Sequence, residues 1–563
     1  MNEKILANYN LWQKNLHLLD LELQLEFKQL NKNQIEDAFF QNLDFGTGGL
    51  RGLMGVGPNR INKITIAKTT LGLGQYLLNE YSQNQNIKVA ISYDNRKNSY
   101  IFAYEAAKIL AALGIKSIMY KTLMPTPLLS YLLKYESCQA GIMITASHNP
   151  KEYNGYKVYN ETGAQLDLIQ STEVIKTINK IEDMFTINKI ESNELITYAS
   201  EIVIAKYLNK VKEISINKPI RKEQKIVYSP LHGTGAKIIP EFLRSEGYNV
   251  FAYYPQMVND DTFPNLLSSN PEDQRSFLKG VEYADYLQAN TVLVTDPDAD
   301  RLGVAIRKKD QTFYYLNGNE TAALILHYLL SHKKNFNKDK DFVFSTIVTS
   351  DLLDKICLKY QVKIEKTLTG FKFIGEKAAL LERNHQNYLF GCEESYGSLI
   401  SDFVRDKDAV QACYLLCEMI NYYFESENKT LLDKLADLDD EFGAFVEYTH
   451  NIELPGQSGL SQISQIMETT RSSNLKLNDY KLLKKDDYLN AKSFCYQTKR
   501  ENKLDLPASN VLKFYYSFGW IVLRPSGTEP KLKIYFSVSE KSSKEAYVIL
   551  ETIREEVLKI LQL

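Results

Sequence analysis

The chain has 563 residues, of which 44% are hydrophobic and 24% charged, and its net charge is −2. That length is too great for one hydrophobic core, and at about 150 residues per domain it predicts three to five domains. The near-neutral charge argues against a general grip on nucleic acid or a membrane surface, so neither is an expected partner. In chain order, residues 1–42 carry mixed helical periodicity, with Leu16, Leu19 and Leu23 at helical spacing, and read as a helical lead-in. The run Phe45 to Gly52 (FGTGGLRG) follows. Its glycines let backbone N–H groups approach an anion, and Arg51 can supply a forked donor; a plain turn is the competing reading.

A helical stretch (66–81), a strand (88–94), a helix (about 100–113) and a short strand (115–119) lead to AGIMITASHNP. There an apolar run stops at Thr145, and Asn149-Pro150 breaks the extended pattern. The spacing presents Ser147 at the tip of a sheet, where α/β proteins gather ligands, as a nucleophile, a phosphate carrier or a turn hydroxyl. The order repeats from the strand in KIVYSPLHGTG (225–235) to NTVLVTDPDADR (290–301), and again from DFVFSTIVTS (341–350) to NYLFGCEESYG (387–397). Three α/β units, each aiming one polar loop at a shared cleft, is the simplest reading. The polar stretch 189–224 reads as a long connector, and residues 444–563 as a smaller α+β domain with a C-terminal helix from about 542.

Asp296, Asp298 and Asp300 stand at i, i+2 and i+4. In an extended loop that spacing turns three carboxylates to one side, which implies a hard divalent cation. A calcium EF-hand fails, because Arg301 sits where glycine is needed; a phosphatase with an aspartyl nucleophile stays a rival. In GCEESYG, Glu393 and Ser395 suit the vicinal hydroxyls of a sugar. The string 405–408 reads by itself as an ordinary charged helix start. Arg524, Ser526, Gly527 and Thr528, with Lys531, form a dense donor set for a phosphate. Together these parts ask for phosphoryl transfer on a phosphorylated sugar.

GTGGLRG, TASHNP, DPDADR, GCEESYG and RPSGTEPK, in that order and over nearly the whole length, resemble the α-D-phosphohexomutase superfamily of phosphoglucomutases and phosphomannomutases. The resemblance implies an α/β fold: three α/β mixed-sheet domains and a C-terminal α+β domain similar to the TATA-binding-protein fold, around a central cleft. The expected divisions are 1–205 with a phosphoserine loop, 206–320 with a metal loop, 321–440 with a sugar loop and 441–563 with a phosphate loop. It implies that Ser147 carries a phosphoryl group and binds Mg²⁺ with Asp296, Asp298 and Asp300. It also implies that Arg51, His148, Lys157, Arg301 and Lys407 line the reacting phosphate, with Lys407 as general acid/base.

Glu393 and Ser395 would hold sugar hydroxyls, and Arg524, Ser526, Gly527 and Thr528 the non-reacting phosphate. Gly370 and Phe371 lie in the sugar-reading loop, where some relatives carry Trp at the second position. The implied activity is interconversion of hexose 1- and 6-phosphates, of glucose or mannose, through a bisphosphate such as glucose 1,6-bisphosphate. A phosphopentomutase on ribose or deoxyribose phosphates, a sugar phosphatase and a bisphosphate synthase are the alternatives. The expected partners are sugar phosphates alone, for a monomer or homodimer.

The six cysteines (138, 357, 392, 413, 417 and 495) show no Cys-x-x-Cys and no zinc spacing, and read as buried free thiols. The N-terminus has no apolar signal core, and no run reaches about 18 apolar residues. The expected location is cytoplasmic.

Overall fold

The computed structural model describes residues 2–46, 48–84, 86–333, 335–454, 456–526 and 531–563. They form two compact units, residues 1–318 with 371–427, and residues 319–370 with 428–563. In the first unit the lead-in is three α-helices, Glu3–Lys14, Leu21–Gln29 and Lys32–Phe39. Their apolar faces bury Trp12, Phe27 and Phe39 with Val56, Ile64 and Met184. Asn31 caps the third of them, accepting the Gln34 N–H while the Gln34 side chain returns to the Asn31 N–H.

Six strands build the first sheet: β1 (Gly49–Leu53), β2 (Lys88–Tyr93), β3 (Lys116–Met119), β4 (Ala140–Ile144), β5 (Tyr153–Asn160) and β6 (Ile196–Tyr198). Their order is β1-β5-β4-β2-β3-β6. The pairs β2–β4, β2–β3 and β3–β6 are parallel, whereas β5 runs antiparallel to both β1 and β4. β4 is buried along its whole length, which its unbroken apolar run requires. The 189–224 connector needs correction: it contains β6 and the helix Glu201–Lys212, capped by Ser200. Its local pattern is polar because β6 is a three-residue edge strand and the helix buries only Val203, Tyr207 and Val211.

The second sheet holds β7 (Ile226–Ser229), β8 (Val250–Ala252), β9 (Thr291–Thr295), β10 (Leu302–Arg307) and β11 (Phe313–Leu316), in the order β11-β10-β9-β7-β8. It too is mixed, with β7–β8 and β7–β9 parallel and β9–β10–β11 antiparallel. Next along the chain, β12 (Asp341–Thr346) and β13 (Lys363–Thr367) pair in parallel in the second unit, and β14 (Asn387–Cys392) and β15 (Ser398–Leu399) pair antiparallel in the first. The C-terminal sheet has seven antiparallel strands and packs the helix Ser543–Ile560 against a core that includes Leu512, Phe514, Ile534 and Leu550. No helix among the described residues is long and apolar enough to cross a membrane. All six cysteines are free; five are buried, and Cys495 is half-buried rather than buried as expected.

The C-terminal unit buries one unusual cation. Lys513 is 4% exposed, donates from Nζ to the Ile347 carbonyl at 2.7 Å and lies 4.2 Å from the Trp520 ring centre. Burial holds its ammonium down to about 7 against the attraction of Asp351; Lys366, Asp486 and Asp354 are the other charges facing it. A lysine lowered by folding binds its proton less firmly than in the unfolded chain, so stability rises with pH above about 7. We expect the Trp520 fluorescence transition in urea, read in a Trp12→Phe background, to gain about 2 kcal/mol between about pH 7 and about pH 9. Lys513→Met should flatten that rise; a parallel rise in the variant would assign it to another group.

Candidate active site

β4 ends at Ile144, and the chain turns so that Ser147 adopts φ +52, a left-handed conformation costly for a residue with a Cβ. Thr145 steadies the turn: its Oγ1 accepts the Ser147 N–H at 2.8 Å and donates to Asp94 Oδ2 at 2.7 Å. Ser147 is 2% exposed, and its hydroxyl donates to Asp296 Oδ2 at 2.8 Å, with His148 Nδ1 3.4 Å away. A hydroxyl from one sheet and a carboxylate from the next thus meet at their strand ends.

Asp296, Asp298 and Asp300 follow β9 and are all but fully buried. Their geometry departs from the extended loop expected. Ala299 takes φ +51, and the Asp300 and Arg301 N–H groups donate back to Asp296 Oδ1 at 3.1 and 3.0 Å. A tight turn, not strand periodicity, makes the carboxylates converge. One oxygen from each lies within 4.8 Å of the others, a spacing that could hold a metal ion. Asp298 Oδ1 and Asp300 Oδ1 are buried with no hydrogen-bond donor, a costly state unless a cation completes it. The donor set is all carboxylate oxygen, which fits a hard divalent ion.

Two lysines share this charge. Lys157, on β5, places Nζ 2.7 Å from Asp298 Oδ2 and 3.6 Å from Asp300 Oδ2. Lys407 places Nζ 3.1 Å from Asp300 Oδ2 and 3.0 Å from Asp406 Oδ1. Burial alone would lower Lys407, yet Asp300, Asp406 and Glu393 hold it well above the ordinary lysine range. Within the triad, burial and then its two neighbours push the Asp296 carboxyl far up. Burial opposes ionisation of Asp300 as well, but Lys407, Lys157 and Arg301 hold it below the usual carboxylate range.

The remaining expected residues in this unit gather at the same place. Arg301 pairs with Glu272 at 2.7 Å, and Arg51 donates to Asn149 Oδ1 at 3.2 Å beside the serine turn. Glu393 is 6% exposed and adds its charge to the field on both Lys407 and Arg301. It opens the turn that carries Ser395 and closes through the Glu393 N–H on the Gly397 carbonyl. At Gly397 a Cβ would fall 2.0 Å from Lys407 Cδ, so glycine is what lets the lysine pass. The Phe371 ring centre lies 5.4 Å from Lys407 Nζ; Gly370, which ends a segment of the other unit, takes φ +118. In the other unit, Arg524 donates to the Tyr535 hydroxyl at 3.4 Å and the Ser526 N–H to the Lys531 carbonyl at 2.7 Å. Gly527 and Thr528 lie outside the described residues.

Several site residues escaped the sequence reading. Asp406 is a hub that accepts from Tyr159, Gln165 and Lys407, so 405–408 is more than a charged helix start. Thr126 donates to Asp298 Oδ2 at 3.0 Å. Asp94 and Arg96 lie buried behind the serine turn. The one available signal for the last two was a polar run, YDNR, directly after an apolar strand.

Models of one family's four domains match the chain in order. "Phosphoglucomutase/phosphomannomutase, alpha/beta/alpha domain I" matches residues 42–184, domain II 205–310, domain III 317–441 and the C-terminal domain 473–554. The phosphoglucomutase of Staphylococcus epidermidis (strain ATCC 12228) is 36% identical over 534 residues, 93% of this chain and 96% of its own. That of Staphylococcus aureus (strain MRSA252) is 37% identical over 519 residues, 91% and 92% of the two chains. Among solved structures, the open form of the Paramecium phosphoglucomutase pp63/parafusin aligns with a TM-score of 0.68 at 17% identity, covering 93% of this chain and 96% of that one. A Burkholderia thailandensis protein described by the same family name aligns with a TM-score of 0.66 at 17% identity, covering 92% and 97%. At such identities the likeness is one of fold.

Proposed function

The chain belongs to the phosphoglucomutase/phosphomannomutase family, and from that membership we propose that it interconverts hexose 1-phosphate and hexose 6-phosphate, with glucose as the first sugar to test. The observation that carries the reading is the buried contact of Ser147 Oγ with Asp296, inside a field of three carboxylates and two lysines. A phosphoserine there carries a charge of roughly −1.5 to −2, which Lys157, Arg301 and Lys407 are placed to offset. The acidic triad is assigned to Mg²⁺, which when bound supplies charge neutralisation and orientation to a transferring phosphoryl group.

The chain's own residues then divide the work. In one half-reaction the Ser147 Oγ–phosphorus bond breaks as a sugar hydroxyl forms its own bond to phosphorus, the hydroxyl's proton passing to Lys407 Nζ and Ser147 Oγ taking one from Asp296 Oδ2, to give a sugar bisphosphate such as glucose 1,6-bisphosphate. In the other, Ser147 Oγ takes the second phosphoryl group, and its hydroxyl proton leaves along the bond to Asp296 Oδ2. The released sugar oxygen takes back the proton that Lys407 Nζ accepted in the first half-reaction, and the surrounding carboxylates stabilise the protonated lysine in between. His148 and Arg51 are assigned to the reacting phosphate. Glu393 and Ser395, with Gly370 and Phe371, are assigned to the sugar. Arg524, Ser526, Gly527 and Thr528 are assigned to the phosphate that does not react. The free cysteines agree with a cytoplasmic location.

The deciding experiment assays glucose 1-phosphate, mannose 1-phosphate and ribose 1-phosphate side by side, with Mg²⁺ and a trace of glucose 1,6-bisphosphate, scoring inorganic phosphate in parallel. We expect isomerised hexose phosphate without phosphate release, fastest for glucose. Phosphate release without isomerisation would overturn the mutase reading.

A further inference from the structure

Behind the serine turn, Arg96 has a setting that the chemistry so far leaves unexplained. It is 3% exposed, and its two terminal nitrogens donate to four main-chain carbonyls of one loop. Nη2 reaches Ser147 O at 2.6 Å and Asn149 O at 2.5 Å; Nη1 reaches Pro150 O at 2.7 Å and Tyr153 O at 3.0 Å. Its Nε lies 3.2 Å from Asp94 Oδ2, and both side chains are fully buried. Asp94 is fixed in turn by Ser99 Oγ at 2.8 Å and Thr145 Oγ1 at 2.7 Å, and the same Thr145 oxygen receives the Ser147 N–H. Removing a buried cation from water costs several kcal/mol, so four carbonyls and a carboxylate are the compensation such a group needs.

We propose that Arg96, held by Asp94 and acting with Thr145, is a positioning residue that sets the carrier serine's loop for phosphoryl transfer. The inference rests on the mutase reading of Ser147. Its physical content is geometric. In a trans peptide the N–H points opposite to the C=O, so carbonyls of Ser147 and Pro150 drawn to Arg96 turn the His148 and Lys151 N–H groups away from it. The loop thereby offers donors on the side opposite the cation, as a bound phosphoryl group requires. The same clamp holds Ser147 in its left-handed conformation, which four carbonyl bonds and the Thr145 bond over-determine. Only arginine has a planar fork able to serve four acceptors from two nitrogens; lysine offers a point charge on a flexible stem.

The test compares Arg96→Lys, Arg96→Ala, Thr145→Val and Thr145→Ser in the full chain. For Arg96→Lys we expect kcat to fall about 100-fold while KM for glucose 1-phosphate stays within about threefold, the pattern of a misaligned carrier rather than a lost substrate contact. Guanidinium at sub-denaturing concentration should restore activity to Arg96→Ala and not to Ser147→Ala. Amide exchange in the 145–153 loop should quicken in Arg96→Lys whether or not the protein turns over. Wild-type kcat in Arg96→Lys, or unchanged exchange in that loop, would overturn the proposal. Should Arg96→Ala not fold, the threonine pair decides: Thr145→Val must lose kcat and Thr145→Ser keep it, and equal activity in the two sinks the clamp. A wild-type chain without mutase turnover would instead refute the activity, and loop exchange alone would then judge the clamp.

Discussion

Ser147→Ala is expected to reduce mutase turnover by more than about 10³-fold while leaving the fold intact, because it removes the hydroxyl assigned as phosphoryl carrier. The substitution deletes one hydroxyl, its 2.8 Å bond to Asp296 and its 3.4 Å approach to His148. The backbone cost is unchanged, since alanine meets the same left-handed penalty at φ +52. The lost hydrogen bond costs about 1 kcal/mol, too little to unfold a chain of this size. Incubation with glucose 1,6-bisphosphate, followed by intact-mass measurement, should show one added phosphoryl group on the wild type and none on the variant. Substantial mutase turnover in Ser147→Ala would remove the serine from the mechanism. Retained phosphate release would pass the site to a phosphatase with Asp296 as nucleophile.

The parts of this site legible from sequence share one property, which is that their chemistry lies within a few residues of chain. Ser147 stands three residues past a buried apolar strand, and the three aspartates sit in five consecutive positions after another. Arg96 could not be read in this way, because its acceptors are backbone carbonyls more than 50 residues away, and a carbonyl leaves no mark in a sequence. Asp406 was hidden differently. Its partners Tyr159 and Gln165 belong to the first sheet's hairpin, some 240 residues upstream, so its own neighbourhood shows only an ordinary charged helix start. The α/β make-up of the first two sheets followed from repeated strand–helix order. The antiparallel β5 did not, because after Asn149-Pro150 the polar, glycine-bearing stretch YNGYKVYN has none of the apolar continuity that marked β4.

Asp298→Asn should separate metal binding from folding. The change keeps the side chain's size and removes one charge from a triad whose oxygens converge within 4.8 Å. In the wild type, Asp298 Oδ2 is already engaged by Lys157 at 2.7 Å and Thr126 Oγ1 at 3.0 Å, while Oδ1 is buried without a donor. An amide can still accept from Thr126, but it places a donor nitrogen in a site otherwise lined by oxygen acceptors, which a hard cation tolerates poorly. We expect Mg²⁺ affinity, read by calorimetry, to fall by at least about tenfold, and kcat by about 10²- to 10³-fold, since charge compensation at the transferring phosphoryl group is lost together with the metal. Loss of the ion pair also leaves the buried Lys157 to rely on Asp300, 3.6 Å away, and on the more distant charge of Asp406. Thermal stability without metal should therefore drop modestly, whereas the stabilisation gained on adding Mg²⁺ should shrink much more. An unchanged Mg²⁺ titration in the variant would show that the cation binds elsewhere, and the two orphaned carboxylate oxygens would need another explanation.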